Sequence, residues 1–91
     1  MDFEWDENKA LLNEKAHNIT FEEALTVFYD SNSVIADDIE HSNFEVREII
    51  IGLSESGRLL TVIFTERSEN IRLISARKST KTEAKKYEKR I

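Results

Sequence analysis

Four stretches of the chain gather apolar residues at strand length, and three others repeat them at helical spacing. Phe21, Ala24, Leu25 and Phe28 recur at i, i+3, i+4 and i+7, a single apolar stripe. Thr20 followed by Glu23 makes a capping box, in which each side chain satisfies a free backbone N–H, so a helix is predicted behind it. Residues 7–16 suit an earlier helix, with Leu11 and Leu12 as its buried positions. Thr80 and Glu83 form a second capping box, opening a final helix to Ile91. Its apolar stripe is Ala84, Tyr87 and Ile91, with Lys81, Lys85 and Lys89 lined up beside it at i+4 spacing.

Between the helical regions lie the strand candidates Val34 to Asp38, Glu45 to Leu53, Arg58 to Glu66 and Ile71 to Arg77. Ser54-Glu55-Ser56-Gly57 and Arg67-Ser68-Glu69-Asn70 are polar breaks of hairpin length, which predicts antiparallel neighbours. Leu60, Val62 and Phe64 share one face of their strand, the natural core face. Phe3-Glu4-Trp5-Asp6 also alternates, as a short strand or an extended lead-in would. The pattern predicts one α+β domain spanning residues 1–91: two amino-terminal helices, an antiparallel sheet of about four strands (five if Phe3 to Asp6 pairs) and a carboxy-terminal helix.

Composition sharpens this in three ways. With 91 residues, no proline and two glycines, the chain holds one domain and no flexible linker. The absence of cysteine removes disulfides, thiolate metal sites and a cysteine nucleophile. The acidic start and the short apolar runs Ile49-Ile50-Ile51 and Leu59 to Phe64 predict a soluble, cytoplasmic protein without a membrane span. The net charge of −5 hides a division. Residues 1–45 carry twelve acids against Lys9 and Lys15, a net of −10, whereas residues 46–91 carry eleven bases against six acids, a net of +5. Such polarity suits one surface for nucleic acid and another for a basic partner.

The candidate chemistry lies in the arginines. No metal is expected, because His17 and His41 stand in no ligand spacing, and Asp37, Asp38, Glu40 and His41 read as solvated turn residues. No cofactor is expected either, since Gly52 and Gly57 stand alone rather than in a phosphate loop. Arg47, Arg58, Arg72 and Arg77 fall on or at the ends of strands, where guanidinium forks can grip phosphate oxygens. Glu45 lies two residues from Arg47 on one strand face, so that pair reads as structural. Strict alternation places Arg72 and Arg77 on opposite faces unless a bulge intervenes.

The opening Phe3-Glu4-Trp5-Asp6-Glu7-Asn8-Lys9, then Asn13, His17, Ile19, Phe21, Ala24, Val27, Phe28 and Asp30, resembles the start of the BrnT toxins. The likeness continues through Glu45, Arg47, Gly52, Gly57-Arg58-Leu59-Leu60, the run to Glu66, Ile71-Arg72-Leu73-Ile74-Ser75-Ala76-Arg77-Lys78, Thr80, Glu83 and Tyr87. That family implies a RelE-like fold and the toxin half of a bacterial type II toxin–antitoxin pair. It implies a metal-independent endoribonuclease that blocks translation. The partner would be a BrnA-like antitoxin with a ribbon-helix-helix domain, through which alone operator DNA is met. The family usually has Lys-His-Gly where this chain has Ala16-His17-Asn18. Asn18 tolerates the left-handed turn a glycine would supply, and Ala16 removes a cation beside His17.

Toxins of this fold cleave by attack of the ribose 2′-hydroxyl and leave a cyclic phosphate. On that pattern Arg72 or Arg77 is the phosphate clamp, Arg58 supports it, and Glu45 or His17 is the candidate base. Tyr87 is the candidate acid or a platform for base stacking. Arg47, Lys78, Lys81, Lys85 and Lys89 would bind the RNA backbone. The competing reading is a catalytically weak or inactive RelE-like domain that serves as an antitoxin-binding, co-repressing module.

Overall fold

Asp6 starts the first helix: its carboxylate accepts the N–H groups of Asn8 and Lys9, at 2.8 and 3.1 Å. In the computed structural model, which describes residues 2–41 and 45–89, strand β1 (Asp2–Glu4) leads into helix α1 (Glu7–His17). The helix ends on Asn18 in the left-handed conformation (φ 58°, ψ 36°), as its residue type allows. Leu11 and Leu12 do not face the core as the pattern predicts; they are 65% and 66% exposed. The helix is instead anchored by a polar residue, Asn13, which is buried against β5.

Helix α2 (Phe21–Ala24) is shorter than its stripe suggests and continues as a 3-10 turn over Leu25–Tyr29. Thr26 donates its hydroxyl back to the Glu23 carbonyl at 2.6 Å, tightening that turn. The Thr20 cap forms, but Glu23 does not return to the Thr20 backbone; its carboxylate is taken by Arg58. Strand β2 (Val34–Asp37) follows, then a 3-10 turn at Ile39–His41, β3 (Glu48–Leu53), β4 (Leu59–Arg67), β5 (Asn70–Lys78) and α3 (Lys81–Glu88). Strand β3 starts at Glu48, so Glu45 and Arg47 precede it rather than sharing a strand face. The capping box of Thr80 and Glu83 is complete. Ile91, expected to close the stripe of α3, and the His41 side chain lie outside the described residues.

The sheet order is β1-β5-β4-β3-β2. The four predicted strands pair antiparallel, whereas β1 joins β5 in parallel, so the five-stranded sheet is mixed rather than purely antiparallel. Residues 5–69 separate β1 from β5, and no hairpin constrains their direction. Helices α1 and α2 pack on β5, burying Ile19, Phe21, Ala24 and Val27 against Ile50, Leu60, Val62, Phe64, Leu73 and Ala76. Phe28 meets Phe64 edge-on with ring centroids 5.0 Å apart. Gly52 passes beneath Val27, where an added Cβ would stand 3.2 Å from the Val27 carbonyl oxygen. Among the described residues no helix is long and apolar enough to cross a membrane.

Candidate active site

Strand β5 carries one residue more than β4 opposite it. Thr61 pairs with Arg77, Val62 with Ala76 and Ile63 with Ser75, but the next pair is Phe64 with Leu73. Ile74 is the extra residue, a β-bulge that resets the alternation. Leu73 and Ala76 therefore both face the helices and are buried. Arg72 and Arg77 consequently share the opposite face, which corrects the expectation from strict alternation.

On that face Arg77 forks onto Glu83 of α3, Nη1 to Oε1 at 2.7 Å and Nη2 to Oε2 at 2.9 Å. The same carboxylate accepts the Thr61 hydroxyl at 3.0 Å and the Thr80 backbone N–H at 2.8 Å. The Arg77 hydrogen bond leads these in holding Glu83 down to about 2. Arg72 donates to Glu4 of β1 at 2.9 Å, and Glu4 also accepts the Asn70 amide at 3.2 Å. Hydrogen bonding from Asn70 and then Arg72 lowers the Glu4 carboxyl below its ordinary value. The Arg77 and Arg72 side chains stay 36% and 29% exposed, so both guanidiniums can still be reached from solvent.

The other expected site residues are not gathered here. Arg58 lies on the helical side, bound to both Glu23 oxygens and, at 3.2 Å, to the Asn18 carbonyl. Glu23 also accepts Ser54 and Ser56 hydroxyls, and with Arg58 as the leading cause its carboxyl falls to about 2. This cluster ties α2 to the β3–β4 turn. His17 ends α1 beside it, exposed, at the same end of the sheet as Arg77 but on the helical layer. Lys78 pairs opposite Leu60 and so also lies toward the helices. Glu45 pairs with Arg67 at 3.4 Å instead of Arg47.

Tyr87 is buried and donates its hydroxyl to Asp30 at 2.6 Å. That bond, with burial behind it, pushes the phenol up to about 12, so its proton is held rather than offered. Lys81, Lys85 and Lys89 are exposed along α3 and its end. Among the described residues no group of three or more His, Cys, Asp or Glu is arranged to hold a metal ion. The site residue that sequence reading gave only a capping role is Glu83, whose place opposite Arg77 depends on the bulge and on where α3 docks.

Glu23 and Glu83 titrate near 2 in the fold and near 4.5 in the unfolded chain. Each stabilises the fold fully above 4.5 and loses that contribution as pH falls toward 2. Melting temperatures measured against pH should drop through that window, and the drop should shrink when both residues are changed to glutamine. An unchanged acid slope would show that neither pair carries it.

The family model described as "Ribonuclease toxin, BrnT, of type II toxin-antitoxin system" matches residues 5–83. The crystal structure of the Brucella abortus ribonuclease toxin, BrnT, superposes with a TM-score of 0.67 at 23% identity, covering 89% of this chain and 99% of that one. At that identity the likeness speaks for the fold. No curated protein sequence matches.

Proposed function

The chain belongs to the BrnT family of ribonuclease toxins of type II toxin–antitoxin systems, and from that premise we propose that it is itself a metal-independent endoribonuclease whose phosphate site is the sheet face that carries Arg72 and Arg77. The observation that carries this reading is the bulge in β5, which sets both guanidiniums on one rigid face away from the core. Arg77 is the principal clamp: its planar fork, already oriented by Glu83, which Thr61 holds in turn, complements the charge that builds on the phosphate as the ribose 2′-hydroxyl attacks. Arg72 extends the cationic track, and Lys81, Lys85 and Lys89 hold the RNA backbone by charge alone. Tyr87, Arg58 and Glu45 fall outside this site by position: the Tyr87 hydroxyl is buried on Asp30, Arg58 lies on the helical side with Glu23, and Glu45 precedes β3. Glu83, held near 2, is too weak a base near neutral pH to take the 2′-hydroxyl proton efficiently. RNA that reaches both Arg77 and His17 must cross the end of β5. The partner in this reading is a BrnA-like ribbon-helix-helix antitoxin, and DNA is met only through it.

A second reading has its own support. Arg72 and Arg77 are already matched by carboxylates, Glu4 and Glu83. A chain with its cations thus occupied, and with Ala16 in place of a lysine beside His17, fits an antitoxin-binding module that no longer cuts.

The purified chain, incubated with RNA and excess EDTA, is expected to produce fragments ending in cyclic phosphate. Loss of cleavage with EDTA and its return with magnesium would refute the metal-independent mechanism. Intact RNA under every condition, with normal growth of cells expressing the chain alone, would favour the inert module.

A further inference from the structure

The helices do not cover the whole of the sheet face on which they pack. Toward the start of β3 and the end of β4 they leave an open cleft of about 260 Å³. Ile50, Phe64 and Ile71 form its apolar floor, and Ile35, Glu48 and Glu66 stand at its rim. Strand β2 is the last strand of the sheet at this side, and its Ile35 is 56% exposed. Asp37 adds a third carboxylate, since it pairs directly opposite Glu48. Among the described residues lining the cleft there is no lysine or arginine.

We propose that this cleft seats a basic, apolar segment of the antitoxin, with a lysine or arginine head group held between Glu48 and Glu66 and its alkyl stem laid on Ile50, Phe64 and Ile71. The surface is new, while the identity of the occupant rests on the toxin–antitoxin reading above. Long basic side chains cover apolar surface with their stems while keeping the charge at a rim, which matches a floor of hydrocarbon beneath two carboxylates. RNA is repelled here, because its phosphates would face Glu48, Glu66 and Asp37, with no lysine or arginine among the described lining residues to offset them. The volume lies below the roughly 300–1,000 Å³ usual for small-molecule pockets, but it suits the side chains of a docked peptide.

The rim is also electrostatically incomplete. Glu48 faces Glu66 on β4 and Asp37 on β2, while β5 and the 3-10 turn after α2 offer only Ile71 and Phe28. A hydrogen bond to Glu66, then burial, then the charges of Glu66 and Asp37 raise Glu48 to about 7. An arriving cation displaces the proton from Glu48, so binding releases a proton and tightens as pH rises through 7. Glu48 and Glu66 share the helical face of the sheet, opposite Arg72 and Arg77, so the grip on the antitoxin and the cleavage of RNA can be changed separately.

The test titrates the full chain with the purified product of a ribbon-helix-helix reading frame sought beside its gene, between pH 6 and 8. The double variant Glu48→Gln with Glu66→Gln keeps shape and removes charge, and thermal melting checks that it folds. It is expected to raise Kd by about 30-fold or more, to abolish the pH dependence of binding, and to leave RNA cleavage unchanged. Reversal at one position, Glu48→Lys, should weaken the complex further. A complex with equal Kd for wild type and double variant would overturn the surface alone. A wild-type chain that binds no such protein would remove the antitoxin reading and this surface with it.

Discussion

Replacing Arg77 with alanine is expected to lower RNA cleavage by about 10²–10³-fold, the usual cost of losing one preorganised donor to a transition-state charge. RNA affinity should fall far less, because only an interaction stronger in the transition state than in bound substrate raises the rate. Arg77 meets the requirement for preorganisation. Glu83 holds its fork at 2.7 and 2.9 Å, and Glu83 is itself fixed by Thr61 and by the cap of α3. Removing the arginine also leaves Glu83 without its principal partner, so part of any loss could come from a loosened α3. Arg77→Lys separates the two effects: it keeps a cation beside Glu83 but loses the planar fork, and should remain folded while cleaving poorly. Neutralising Lys85 and Lys89 should do the reverse, weakening binding and flattening its salt dependence while turnover of bound RNA stays nearly constant. A folded double variant at Arg72 and Arg77 that cuts at the wild-type rate would overturn the assignment of the face.

What sequence could and could not show about this site comes down to one residue of register. The strand over Ile71 to Arg77 is evident from its apolar alternation, and so is its antiparallel partner, because Leu60, Val62 and Phe64 mark a core face that the structure keeps buried. The bulge at Ile74 leaves no such mark. It lies in an apolar run, without the glycine that would flag it, and its only trace is that Leu73 and Ala76, three apart, are both buried. Parallel pairing of β1 was hidden for another reason. Three residues reveal an extended segment but not its direction, and that direction is set by how α1 returns across β5. Glu83 shows the limit of local motifs. As a capping-box residue it was legible, and Thr80 does cap it; its second bond, to Arg77, depends on tertiary docking. Glu23 has the same motif and the other outcome, for there Arg58 took the carboxylate from the cap.

Asn13 is where hydrophobic patterning misled most, and it carries the second large expected effect. The pattern favoured Leu11 and Leu12 as the buried side of α1, yet those two face outward while Asn13 is buried. Strand β1 borders β5 only over Asn70 to Arg72, which leaves the edge of β5 beyond it unpaired by any strand. Asn13 takes that place. Its Oδ1 accepts the Ala76 N–H at 3.0 Å, its Nδ2 donates to the Ala76 carbonyl at 2.9 Å, and Nδ2 also donates to the Ile19 carbonyl at 3.1 Å. One carboxamide thus mimics a strand residue on β5 and fastens the segment between α1 and α2 to it. Asn13→Ala would leave a buried N–H and two carbonyls without these partners, and each such group costs about 1–3 kcal/mol. A net loss of roughly 3 kcal/mol is expected after local relaxation, and at about 4–8 °C per kcal/mol for a domain of this size the melting temperature should fall by more than about 10 °C. Asn13→Asp distinguishes hydrogen bonding from packing, since it keeps the volume and the bond to the Ala76 N–H but brings an acceptor to both carbonyls. It should be at least as destabilising as alanine near neutral pH, and should recover partly in acid, when the carboxyl becomes a donor. If Asn13→Ala melts within a few degrees of wild type, the amide does not stand in for a strand partner, and the helical layer is held by its apolar contacts and the Arg58–Glu23 cluster.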